Sequence, residues 1–131
     1  MHPDLIMVAF TIILALAQIF LATAARTAET GMKWNAGPRD TASEVPVGVK
    51  TGRLMRAQAN LFETLPLFIG AVLVAQLGDK AGHLTMWGTH LYFFGRVAYL
   101  PLYYWGVTGL RTLAWMVSLV GLILILVALF I

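Results

Sequence analysis

The sequence contains no cysteine. This excludes disulfide frameworks, thiolate metal sites, redox motifs and thiol nucleophiles, so any thiol chemistry has to arrive with a substrate. Charge is also scarce: Asp, Glu, Lys and Arg make up 11% of the chain, against about 25% in soluble domains. Acidic residues are the rarer sign, with 6 Asp and Glu against 9 Lys and Arg, for a net charge of +3. Apolar residues fill the space, at 60% of the 131 residues and a mean hydropathy of +0.81. That balance excludes a disordered chain and an ordinary one-domain soluble enzyme. An integral membrane protein remains, and the length caps it at about four spanning helices of about 20 residues each.

Four apolar segments are present. Leu5 to Ala25 has no charge; Asn60 to Leu77 carries only Glu63, with a helical pattern that begins near Gly52. Leu84 to Trp105 carries only Arg96, and Leu113 to Ile131 has no charge. The expected fold is therefore all-α, a single membrane domain over 1–131 built as a four-helix bundle. Its spans are expected at about 5–25, 52–77, 84–105 and 111–131, with a loop at 26–51. That loop is rich in Gly, Pro, Thr and charge and cannot lie in hydrocarbon, where its backbone groups would go unpaired. The first segment ends on small residues, Leu21-Ala22-Thr23-Ala24-Ala25, as signal peptides do. However, Met1-His2-Pro3-Asp4 lacks Lys or Arg and the apolar run exceeds about 7–15 residues, so a retained helix is expected.

Orientation follows from Lys and Arg. Arg26, Lys33, Arg39, Lys50, Arg53, Arg56 and Arg111 lie on one side and Lys80 on the other. The positive-inside rule places the long loop in the cytoplasm and both termini outside.

Polar groups inside a membrane are expensive, so their spacing is informative. Arg53, Arg56, Asn60 and Glu63 share one face of the second span, and Tyr92, Arg96, Tyr99 and Tyr103 share one face of the third. At 1.5 Å per residue, Glu63 and Arg96 lie about 16 and 15 Å below the cytoplasmic end, so they are expected to pair, within or between subunits. Asn60 with Tyr99, and Arg56 with Tyr103, form the levels above. The stripes predict a polar cleft open to the cytoplasm, cationic at its mouth, that takes a polar, anionic ligand. The plainer alternative is a structural Glu63–Arg96 pair, with Arg53 and the other groups snorkelling to the interface.

Other features carry less. His83 and His90 lack a carboxylate partner on the same turn, so no metal site is expected. Trp34, Trp87, Trp105 and Tyr104 fall near span ends, as aromatic belts do. Pro66 and Pro101 are expected to kink their helices. Gly37-Pro38-Arg39-Asp40 reads as a turn, and Gly70-Ala71 as a weak close-contact signal. Nothing resembles a nucleotide loop or a nucleophilic triad, and no nucleic-acid partner is expected.

The run Arg53-Leu-Met-Arg56-Ala57-Gln-Ala-Asn60-Leu-Phe-Glu63-Thr64-Leu-Pro66-Leu-Phe68 resembles the signature of the MAPEG family, membrane-associated proteins in eicosanoid and glutathione metabolism. Gly95-Arg96-Val97-Ala98-Tyr99, followed by Tyr103, is similar to that family's third-helix motif, and the Gly37-Pro38-Arg39-Asp40 loop to that of short bacterial members. The resemblance implies a homotrimer, in a bacterial inner membrane, with glutathione bound between subunits at the cytoplasmic side. Family members include microsomal glutathione transferases, prostaglandin E and leukotriene-forming synthases, and one non-catalytic arachidonate-binding activator.

By motif position, Arg56, Asn60, Glu63 and Tyr103 are expected to hold glutathione, together with Arg96, Tyr99 and Thr112. Arg111 resembles the arginine that stabilises the thiolate and is the expected catalytic residue, on an alignment with a one-residue gap. Ala59 and Tyr99 stand where the prostaglandin synthase has an arginine and a histidine, Thr112 replaces a serine, and Trp115 replaces a tyrosine. Fewer donors imply weaker glutathione binding or a different polar ligand, and eicosanoid synthesis is not supported.

The chemistry agrees with the resemblance. A thiol of pKa about 8.5 is mostly protonated at neutral pH, and a nearby cation lowers that value by one unit for about 1.4 kcal/mol. The expectation is a glutathione-dependent transferase or peroxidase acting on lipophilic electrophiles that arrive through the bilayer. The alternative is a non-catalytic membrane protein that binds lipid or a protein partner. A small transporter or channel is a third option, disfavoured by a cleft open on one side only.

Overall fold

The computed structural model describes residues 1–38 and 47–131. Among these lie five helices and no strand: α1 (Pro3–Thr30), α2 (Met32–Ala36), α3 (Val49–Leu77), α4 (His83–Tyr104) and α5 (Thr108–Phe130). The four-helix expectation is thus exceeded by α2, a five-residue helix inside the loop. Arg39 and Asp40 of the expected turn lie outside the described residues.

Helix α1 opens with proline in its first turn, where the missing N–H costs nothing, and His2 Nδ1 accepts from the Asp4 N–H at 3.2 Å. It passes the expected end at Ala25 and runs to Thr30, because Arg26-Thr27-Ala28-Glu29 contains no helix breaker. Gly31 ends it at φ +89°, a conformation that side chains resist. The extra turn positions Glu29. Its carboxylate accepts from the Gly48 N–H at 2.8 Å and the Thr51 hydroxyl at 2.9 Å, capping the N-terminus of α3 from α1. The loop therefore leaves and re-enters the bundle at one tied point.

By length and composition, α1, α3 and α5 are long and apolar enough to cross a membrane. Helix α4 has 22 residues but falls outside that set, because Arg96, two histidines and four tyrosines lower its hydropathy. Pro66 and Pro101 sit inside α3 and α4, and both helices continue past them.

The core gathers Leu61, Leu65, Phe68 and Val72 of α3 with Tyr92 of α4, Leu122 and Ile125 of α5, and Val8 and Ala15 of α1. Phe68 and Tyr92 stack with ring centroids 4.0 Å apart. Helices α4 and α5 approach so closely that a Cβ on Gly88 would lie 2.5 Å from the Gly121 carbonyl oxygen, and one on Gly121 2.5 Å from that of Gly88. Small residues permit this approach, which is how membrane helices gain contact without a hydrophobic drive between them. Phe10, Ile13, Phe20, Leu67, Phe94 and Ile123 point outward, as expected of a surface solvated by lipid.

Candidate functional site

Helices α3 and α4 run antiparallel and meet through a ladder of side chains. From the loop end inward, Arg53 Nη1 donates to the Tyr104 carbonyl at 3.2 Å and Arg56 Nε to the Tyr103 hydroxyl at 3.1 Å. Deeper, Arg96 Nη1 donates to Asn60 Oδ1 at 2.8 Å, and the Thr64 and Tyr92 hydroxyls lie 2.7 Å apart. Residues spaced three and four apart share one helix face, so each helix contributes a member to every rung. Where α4 ends, Gly106 adopts φ +73°, and a Cβ there would meet the Arg53 guanidinium at 2.8 Å.

Arg96 is fully buried, with its guanidinium carbon 4.3 Å from the Tyr99 ring centroid. Its Nε and Nη2 have no partner. The expected ion pair with Glu63 is not formed within the chain: Asn60 makes the contact, and Glu63 is exposed on the surface of α3. The reason is rotational. Three residues separate Asn60 from Glu63, which turns Glu63 about 60° round the helix away from α4 at similar depth.

Beside the ladder an open cavity of about 270 Å³ is lined by Asn60, Tyr99, Tyr103, Arg111, Thr112 and Trp115. The Arg111 guanidinium carbon lies 4.7 Å from the Tyr103 ring centroid, and that of Arg56 lies 5.9 Å from the same ring. Two cations therefore share one tyrosine, and among the described residues neither forms a salt bridge with a carboxylate. Unneutralised guanidiniums beside phenol and amide groups favour an anion with several acceptors.

Of the sequence-predicted residues, Asn60, Tyr99, Tyr103, Arg111 and Thr112 line this cavity. Arg56 reaches it through Tyr103 and Arg96 through Asn60, whereas Glu63 lines none of it. The Thr112 hydroxyl donates to the Thr108 carbonyl at 3.0 Å. Trp115, read from the sequence only as a replaced tyrosine, forms part of the wall.

Sequence reasoning also missed a second polar cavity between α1 and α3, of about 170 Å³, lined by Ala22, Thr23, Arg26, Met55, Gln58 and Ala59. Gln58 is two residues from Asn60, about 200° round α3, so the two amides serve opposite faces. A further missed signal is the seven-residue spacing of Asp4, Thr11 and Gln18, all buried on one face of α1. Gln76 Nε2 donates to Asp4 Oδ2 at 3.5 Å, while Gln18 has no side-chain partner. The His90 ring Nδ1 lies 2.7 Å from the Met86 carbonyl of its own helix.

No curated protein matches the chain. A family model described as the MAPEG family matches residues 7–131, nearly the whole chain. With three apolar helices of membrane length, that match makes the chain an integral, multi-pass membrane protein that belongs to the MAPEG family.

Proposed function

We propose that the protein is a glutathione-dependent transferase or peroxidase acting on lipophilic electrophiles, working as a homotrimer in a bacterial inner membrane. The observation that carries this reading is the convergence of Arg56 and Arg111 on the Tyr103 ring, beside an open polar cavity. Family membership supports it, since MAPEG proteins include glutathione-dependent enzymes. Glutathione offers two carboxylates, amides, an amine and one thiol, a set that matches two guanidiniums, an asparagine and two phenols. The excess of Lys and Arg on the loop side supports a cytoplasmic loop with both termini outside.

In this reading Arg56 holds a carboxylate of the tripeptide, and Asn60, Tyr99, Tyr103 and Thr112 bond its polar backbone. Arg96 keeps Asn60 oriented from beneath through the bond between them. Arg111 faces the sulfur and favours the thiolate, whose proton passes to water. The thiolate then forms a sulfur–carbon bond to the electrophile as the leaving group departs with its electron pair. Glu63, turned away from this cavity, accepts from the amine of a tripeptide bound at the subunit boundary. Its carboxylate stands exposed on a membrane helix, which lipid does not tolerate, so in this reading a neighbouring subunit covers it.

The test is far-ultraviolet thiolate absorbance of the detergent-purified protein mixed with glutathione at neutral pH. A thiolate signal is expected in the parent and lost in Arg111→Ala, with the assembly intact by light scattering. An intact assembly that shows no signal at millimolar glutathione would move the assignment to a non-catalytic protein that binds lipid or a partner.

A further inference from the structure

Two apolar grooves mark the outer surface of the bundle, and they differ at their rims. One, of about 340 Å³, is lined by Met86, Trp87, His90, Leu91, Phe94 and Val117 of α4 and α5. The other, of about 280 Å³, is lined by Leu21 of α1, Leu54 of α3, and Leu100, Pro101, Tyr104 and Trp105 at the loop end of α4 and just beyond. Among the described residues, only the second has Lys or Arg side chains against its wall. Lys50 Nζ lies 5.5 Å from the Tyr104 ring centroid, and Arg53 Nη1 donates to the Tyr104 carbonyl. Lys50 and Leu54 are four residues apart, so the charge stands directly above the apolar floor on one face of α3. Among the described residues neither cation forms a salt bridge, and Glu29, the α1 carboxylate at this end, is engaged by Gly48 and Thr51.

We infer that this groove seats one anionic phospholipid. The acyl chain lies on Leu21, Leu54, Leu100 and Pro101. The glycerol level meets Tyr104 and the exposed Trp105, side chains suited to the headgroup boundary. The phosphate lies against Lys50 and Arg53, where charge complementarity selects an anionic headgroup over a zwitterionic one. The seat is separate from the polar cavity, because Leu100 and Tyr104 each follow a cavity-lining tyrosine by one residue and so point about 100° away. It does not depend on the proposed glutathione chemistry.

Native mass spectrometry of the detergent-purified full chain tests this, with equal amounts of phosphatidylglycerol and phosphatidylcholine of identical acyl chains. Phosphatidylglycerol adducts are expected to exceed phosphatidylcholine adducts. Lys50→Gln is expected to lower that excess about fivefold, with the thermal unfolding midpoint unchanged. Leu100→Trp fills the groove and removes the retained lipid of both kinds; Leu54→Phe replaces it if the tryptophan variant does not fold. Val117→Trp, in the groove without cations, leaves the preference as it was. Equal retention of the two lipids overturns the inference. So does a preference that survives groove filling, which means surface attraction only. Dissociation of the assembly by Leu100→Trp overturns it as well, by showing that a second copy occupies the groove.

Discussion

The α4–α5 seam and the α3–α4 ladder solve the same problem in opposite ways. Along the seam, glycines at 88, 95 and 121 bring backbones into contact: a Cβ on Gly95 would lie 2.9 Å from the Ala114 carbonyl oxygen. Along the ladder, arginine, asparagine, threonine and tyrosine side chains hold the helices together at the length of a hydrogen bond. Lipid offers no hydrophobic drive between helices, so association rests on packing or on polar bonds. Where the glycines pack, backbone meets backbone and no ligand fits between. Beside the ladder, Asn60, Tyr99 and Tyr103 line an open cavity together with Arg111, Thr112 and Trp115 of α5, so the glycine contacts act as scaffold and the ladder as one wall of the site.

Breaking the seam is expected to have the largest effect. Gly121→Leu places its Cβ against the Gly88 carbonyl oxygen and the Tyr92 backbone nitrogen, atoms that cannot rotate away. A loss of about 3 kcal/mol is expected, read as a lower unfolding midpoint in detergent. Arg111→Ala acts on the other side of the comparison. It is expected to lower conjugation of glutathione to a lipophilic electrophile about a hundredfold, with the unfolding midpoint in place. A matching loss of stability would assign Arg111 to the scaffold instead.

Within the ladder, Asn60→Leu removes the one side-chain hydrogen bond to a fully buried guanidinium. This is expected to cost about 2 kcal/mol, and Asn60→Asp, which keeps an acceptor oxygen, is expected to recover most of it. The smallest effect is expected from Thr64→Val. A single interhelical hydrogen bond in a membrane is worth about 0.6 kcal/mol, and the Phe68–Tyr92 stack persists without it. A loss several times larger in denaturant titration would mean that the rungs act cooperatively.

Much of the ladder was legible beforehand because a period of 3.6 sorts residues by face. Arg56 opposite Tyr103 follows from spacing and an antiparallel pairing of the two helices. The partner of Arg96 was not legible. Axial depth places Glu63 and Arg96 level, but a rotation of about 60° decides which side chain reaches across, and rotation is set by how α3 packs on all its neighbours. The end of α1 is hidden for a different reason: falling hydropathy at Arg26 marks the limit of the apolar run, whereas the helix persists until Gly31. Asp4 lay outside the expected span, yet it is buried at the first turn of α1 near Gln76 of α3.

What the sequence determined by itself is the membrane class, the order of the long helices and the faces that carry polar groups. These follow from composition and periodicity, which are local quantities. Only the tertiary structure decided that Asn60 rather than Glu63 meets Arg96 within the chain. It alone brings Arg56 and Arg111, from different helices, onto one tyrosine, and presses two glycines together between α4 and α5. Each of these depends on the azimuth and separation of packed helices, and those are fixed by all the contacts acting together, not by any one segment.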